Sequence, residues 1–211
     1  MHFGHLRAAE EVREQARLDQ VWLLPANSPP HKQPEAIAPA AERLRMLELA
    51  LAGQSGLRAD GIELERAGPS YTIDTLRLLK QRHPGSEFTL VVGLDSFRDL
   101  HTWHRHTEIP AACDLVVTSR PPHAVSPGPD ALERATSAIA VREAFWYDSD
   151  IGSFRHRSGH RLDFVPVTAI DVSASAVRTA VAAGRSIRFL TPDAVATYIV
   201  SHGLYGAPQS A

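Results

Sequence analysis

Residues 88–96 read Phe88-Thr89-Leu90-Val91-Val92-Gly93-Leu94-Asp95-Ser96. The first five are rich in strand formers and apolar on both faces, and Gly93 stops the run. Burial on both faces is what the centre of a parallel sheet requires, so this stretch is expected to be a central parallel strand. The polar Asp95 and Ser96 then leave its carboxyl end, where open α/β sheets place their ligands.

Working outward, Leu115-Val116-Val117 repeats the layout and runs at once into Ser119-Arg120-Pro121-Pro122. Val21-Trp22-Leu23-Leu24, stopped by Pro25, reads as another buried strand, Arg58–Leu64 as a further one and Leu162–Pro166 as the last. Helical patterns separate them. Leu6–Leu18 is amphipathic and starts close to His5, while Pro39 opens a helix that shows Leu44, Leu47 and Leu51 on one face and closes at Gly53. Thr72–Arg82 forms a helix ahead of Pro84, and Ser173 is placed to cap a helix that runs to Ala183 and stops at Gly184. The final helix has Thr191 as cap, Pro192 and Asp193 in its first turn, and Val195, Tyr198 and Ile199 on its apolar side.

Strands alternating with helices imply an α/β fold, a Rossmann-like parallel sheet with helices on both faces. Residues 1–206 are expected to form one domain, with 207–211 as a frayed tail. The polar segments Pro25–Lys32, Gly93–Trp103 and Ser119–Pro121 each follow a strand and are expected at one rim. Residues 121–160 carry no legible motif beyond the aromatic knot Phe145-Trp146-Tyr147.

Composition narrows the function. Lys+Arg is 22 against 24 for Asp+Glu, a balance that argues against a protein coating nucleic acid. The single cysteine, Cys113, excludes an intramolecular disulfide framework and suits a reducing cytoplasm. No apolar run approaches the ~18 residues of a membrane-spanning helix, so a soluble protein without a membrane partner is expected.

The chemistry-bearing patches are few. His2-x-Gly4-His5 stands at a helix start, where imidazoles and backbone N–H groups can face an anion and Gly4 permits close approach; the alternatives are two solvated histidines and a metal site, which lacks a carboxylate partner nearby. Pro29-Pro30-His31-Lys32 offers a cation on a stiffened loop. Ser173-Ala174-Ser175-Ala176-Val177-Arg178 puts two hydroxyls and an arginine at another helix start, a second phosphate cradle or an ordinary cap. Trp103 can stack on a flat ring or fill the core. His101, His104 and His106 suggest a metal cluster, but no cysteine or suitably placed carboxylate accompanies them. No serine or cysteine nucleophile stands in a recognised pattern.

In order, His2 to His5, Pro29 to Lys32, Gly68-Pro69-Ser70-Tyr71-Thr72, Gly93 to Ser96 with Trp103, Ser119 to Pro121, Ser173 to Arg178 and Leu190 to Tyr205 resemble bacterial nicotinate-nucleotide adenylyltransferase across nearly the whole chain. The resemblance implies transfer of AMP from ATP to nicotinate mononucleotide, giving deamido-NAD and pyrophosphate, with Mg²⁺ carried by the ATP phosphates. It implies His2, His5, Lys32 and Arg178 as catalytic phosphate contacts. Gly4, Ser173 and Ser175 would complete the ATP site with His2, His5 and Arg178. Tyr71, Thr72, Asp95, Trp103 and Arg120 would hold the mononucleotide.

Departures from the family pattern are few. Ala174-Ser175 stands where the family has Ser-Thr or Ala-Thr, and Arg120-Pro121-Pro122 where it has Arg-Pro-Gly. The family's first strand and Gly-Gly-(Thr/Ser)-Phe-(Asp/Asn)-Pro loop have no counterpart, and Met1 stands where valine is usual. The expectation is that roughly ten or more upstream residues, enough for a strand and that loop, belong to the working enzyme. The competing readings are an adenylyltransferase for nicotinamide mononucleotide or pantetheine phosphate, a nucleotide-binding protein inactive without the loop, and a histidine-rich metallohydrolase.

Overall fold

A computed structural model describes residues 1–28 and 37–206 of the chain. Its regular elements are α1 (Phe3–Gln15), β1 (Val21–Leu23), α2 (Ala40–Leu51), β2 (Leu57–Ala59), α3 (Thr72–Arg82), β3 (Thr89–Gly93), α4 (Leu94–Arg98), α5 (Ile109–Ala112), β4 (Asp114–Ser119), α6 (Ala131–Ala135), α7 (Ile139–Arg142), β5 (Phe145–Asp148), β6 (Ser153–His156), β7 (Arg161–Pro166), α8 (Ala174–Ala182) and α9 (Asp193–Ser201). Pro29 to Lys32 and the tail 207–211 lie outside the described residues. The chain folds as two compact units, Met1–Ser70 with Ala169–Ala211 and Tyr71–Thr168.

In the first unit β1 and β2 pair in parallel, with Val21 opposite Leu57 and Leu23 opposite Ala59. Ala9 of α1 and Leu47 and Leu51 of α2 bury against Leu57. The expected burial of β1 is only partial: Trp22 carries the Arg58 guanidinium 4.2 Å over its ring and donates to Gln20 Oε1 at 2.6 Å, so polar partners keep it at the surface. The expected strand from Arg58 to Leu64 also stops early, at Ala59. Asp60 Oδ1 accepts from Ile62 N at 2.9 Å, and this turn coils Ile62–Glu65 into a 3-10 helix that buries Ile62. A second core joins Met46 of α2 to Val177 and Val181 of α8 and Val195 and Ile199 of α9. Ser173 caps α8 as expected, its Oγ accepting from Ala176 N at 3.0 Å. Thr191 does not cap α9. Pro192 takes that position, and the Thr191 hydroxyl donates to Met1 O at 2.8 Å.

The second unit holds a five-stranded sheet in the order β3-β4-β7-β6-β5. β3, β4 and β7 run parallel, while β6 is antiparallel to both β5 and β7. β4 is the buried strand, with Leu115, Val116 and Val117 at most 2% exposed. β3, expected at the centre, lies at the edge of this sheet. Among the described residues it has one ladder neighbour, and Thr89, Leu90 and Val91 are half-buried. An apolar run does not distinguish an edge from a centre when helices cover both faces. Gly93–Trp103 is not the expected loop either: α4 starts directly at Leu94, and Leu94, Phe97 and Leu100 recur at a three-residue spacing that buries all three.

The unread stretch completes the unit. α6 buries Ala131, Leu132 and Ala135, and β5 and β6 form a hairpin. Strand alternation divides the aromatic knot, since Phe145 is buried and Trp146 is 51% exposed. Phe154 and Phe97 both meet Phe164 edge-on at 6.0 Å. Among the described residues no helix is long and apolar enough to cross a membrane.

Candidate active site

In the first unit the starts of α1 and α8 lie against each other. His2 is the N-cap of α1 and is buried, and its carbonyl accepts from His5 N at 3.0 Å. The His2 and His5 rings stack with centroids 3.7 Å apart at 23°. Gly4 makes room for this. A Cβ there would stand 3.1 Å from His2 Nδ1 and 3.2 Å from Val172 Cγ1. Val172 directly precedes Ser173, the cap of α8, and one turn into that helix Arg178 Nη2 donates to Ser175 Oγ at 3.1 Å. The start of α8 thereby stands against the start of α1, which carries the two imidazoles, and Ser175 and Arg178 follow within the first turns of α8. Phe3 N already donates to Leu190 O at 3.2 Å, so the attraction for anions comes from the positive ends of the two helix dipoles and from the Arg178 guanidinium, which can hold phosphate by paired hydrogen bonds.

Tyr205 packs against the core that holds Val177 of α8. Burial pushes its phenol above the ordinary range, and the positive charges of Arg178 and Arg43 pull it partly back. Arg43 is a clamp, donating to Ala26 O at 2.6 Å, Ala38 O at 3.0 Å and Asn27 O at 3.3 Å. Asn27 is held in turn: its N–H donates to Ser70 Oγ at 2.9 Å and its side-chain amide to Arg66 O at 2.8 Å. The Gly68-Pro69-Ser70 turn therefore anchors the segment that follows β1. Sequence reasoning does not single out Asn27 or Arg43. Apart from Ala38, their partners stand 16 to 43 residues away, and no local spacing signals such contacts. Lys32 lies outside the described residues.

In the second unit Tyr71 is the N-cap of α3 and Thr72 its first residue. Trp103 closes the 3-10 turn Leu100–Thr102, half-buried against the main core. The His104 ring lies on that of Tyr71, with centroids 4.2 Å apart at 24°, which brings the start of α3 beside the Trp103 turn. Asp95, in the first turn of α4, has a 96% exposed side chain 3.7 Å from Arg98. Arg120 is exposed just past β4. Gly93 registers with Thr118, so Asp95 and Arg120 leave the same end of the sheet, as expected of the segments after those two strands. His101 Nδ1 meets Arg98 O at 3.1 Å, and among the described residues no group of three or more His, Cys, Asp or Glu is arranged to hold a metal ion.

The cytidylyltransferase-like family model matches residues 1–180. A relative from Syntrophotalea carbinolica, "Probable nicotinate-nucleotide adenylyltransferase", is 42% identical over 99% of this chain and 94% of its own length. A relative of the same description from Pseudomonas fluorescens is 43% identical over 99% of this chain and 94% of its own. The chain belongs to the nicotinate-nucleotide adenylyltransferase family. The fold agrees with that membership: the Plasmodium falciparum nicotinic acid mononucleotide adenylyltransferase complexed with NaAD matches with a TM-score of 0.69, covering 100% of this chain and 94% of that one. At 12% identity this is a likeness of fold.

Proposed function

We infer that this chain transfers AMP from ATP to the phosphate of nicotinate mononucleotide, giving deamido-NAD and pyrophosphate. The observation that carries the reading is the packing of the His2-x-Gly4-His5 start of α1 against the Ser173 start of α8, an anion cradle in a chain of this family. An oxygen of the acceptor phosphate attacks the α-phosphorus of ATP, one P–O bond forms, and the bond to the β-phosphate breaks. The acceptor is its own nucleophile, so no catalytic serine or cysteine is required. The protein aligns the two phosphates and stabilises charge on the α-phosphate and the departing pyrophosphate.

In this reading His2, His5 and Arg178 face the ATP phosphates, with Lys32 as a further cation and Gly4, Ser173 and Ser175 completing the site. Tyr71, Thr72, Asp95, Trp103 and Arg120 serve the mononucleotide. The cradle is made of imidazoles, hydroxyls and a guanidinium with no carboxylate among them, a set suited to phosphate and not to Mg²⁺, which takes oxygen ligands. Mg²⁺, which neutralises polyphosphate charge when bound, would accordingly travel with the nucleotide. The test is pyrophosphate release from ATP with nicotinate mononucleotide, nicotinamide mononucleotide and pantetheine phosphate offered singly. The highest kcat/KM belongs to nicotinate mononucleotide; preference for another acceptor, or ATP binding without release, would overturn the reading.

A further inference from the structure

We propose that His104 is a positioning residue for the acceptor mononucleotide, a role that rests on the function just inferred. The groups assigned to that substrate sit on separate segments, Tyr71 and Thr72 opening α3 and Trp103 ending a 3-10 turn much further along the chain. Side-chain contacts among the described residues join these segments. His104, the residue after Trp103, lays its imidazole on the Tyr71 ring at 4.2 Å. Glu108 accepts from Arg105 Nε at 2.6 Å and also pairs with Arg77 of α3. The second link is an exposed ion pair, a kind of contact that contributes little. The first reaches the cap residue of α3 itself.

Both partners of the stack are fixed by their own backbones. The Tyr71 carbonyl accepts from Asp74 N and Thr75 N, each at 3.1 Å. On the other side, Trp103 O accepts from His106 N at 3.1 Å, and between them Arg105 stands in the left-handed region at φ 52°, which few residues other than glycine adopt. Such strain persists where the surroundings demand that turn. A flat acceptor ring bearing a carboxylate needs a ring face and hydrogen-bond donors at one fixed separation. Trp103 offers the face, the start of α3 offers the donors, and the His104–Tyr71 stack sets the distance between them. His104 is exposed and Tyr71 half-buried, so loss of the stack opens no core.

The experiment compares His104→Ala, His104→Phe and His104→Lys with the wild type, measuring KM for both substrates, melting temperature, and mononucleotide affinity by calorimetry. Removing one ring stack is expected to raise the mononucleotide KM and Kd about 3- to 10-fold in the Ala and Lys variants. Phe, which keeps a flat ring, restores both to within about twofold. The KM for ATP and the melting temperature stay at wild-type values. An unchanged mononucleotide KM in His104→Ala, equal losses for both substrates, or rescue by Lys and not by Phe would overturn the proposal. If the wild type binds nicotinate mononucleotide but releases no pyrophosphate, the functional reading fails while the Kd series still decides the role of His104. Absence of binding overturns both.

Discussion

Val172, the residue ahead of the α8 cap, packs on Gly4, the second residue of α1, so closely that a methyl group on Gly4 would stand 3.2 Å from Val172 Cγ1. The same methyl would stand 3.1 Å from His2 Nδ1. One small residue thus sets both the spacing of two helix starts and the place of an imidazole. Alanine is favoured over glycine inside a helix by about 1 kcal/mol, so Gly4→Ala would stabilise a neutral position. Here the methyl displaces the His2 ring or Val172. The expected outcome is no gain in melting temperature and a kcat at least ~10-fold lower, since small misplacements of catalytic groups are costly. A variant that is both more stable and fully active would contradict the packing argument.

His5 is exposed and contributes its ring to the stack with His2. His5→Ala should lower kcat by on the order of 10²–10³, as loss of one preorganised donor does. Melting temperature should move little, because the His5 side chain is exposed. Steady-state rates and a thermal melt on the same preparation check both halves.

Trp103 combines two roles, being half-buried against the core of the second unit and assigned to the acceptor ring. Trp103→Ala is therefore expected to lower the melting temperature by several degrees, as a deletion costing a few kcal/mol does. It should also raise KM for the mononucleotide far more than KM for ATP. Equal increases for both substrates would leave only the core role.

The sequence reading succeeds where local pattern decides structure. Ser173 is legible as a cap because serine ahead of an apolar-periodic run accepts from the third N–H, as it does from Ala176. The bounds of α3 follow from its apolar spacing and Pro84. What local pattern cannot carry is the choice among distant partners. The run 88–92 looks central because all its residues are apolar or β-branched, yet which strands flank it is decided by chain segments far away, and β4 takes the buried position. Thr191 has the chemistry of a cap, but its hydroxyl reaches Met1 O and leaves Pro192 to start the helix. The patches at the starts of α1, α3 and α8 were readable as motifs. The clamp made by Arg43 and Asn27, and the ring contact between Tyr71 and His104, were not, because each depends on tertiary proximity.

His156 makes the acid limb of stability testable. It is buried on β6, where Ser158 N donates to its Nδ1 at 3.2 Å, so that nitrogen serves as an acceptor and the ring is neutral. Burial, followed by the positive charge of Arg157 and the neighbouring His160, holds its pKa below the ordinary histidine range. The unfolded chain then binds a proton that the folded chain resists. The resulting stability is present above the ordinary histidine pKa of about 6.5 and is lost as pH falls through it. His156→Gln, which can still accept from Ser158 N, should show a smaller drop in melting temperature between neutral and mildly acidic buffer than the wild type. Parallel pH dependence in the two proteins would contradict the assignment.

Direct adenylyl transfer at an anion cradle, with no covalent enzyme intermediate, can be followed through the α-phosphate of ATP. With ATP labelled there and nicotinate mononucleotide as acceptor, the label should pass entirely into deamido-NAD, one pyrophosphate should be released per dinucleotide formed, and acid-quenched protein should carry no label. Label retained on the protein, or free AMP in place of dinucleotide, would contradict it.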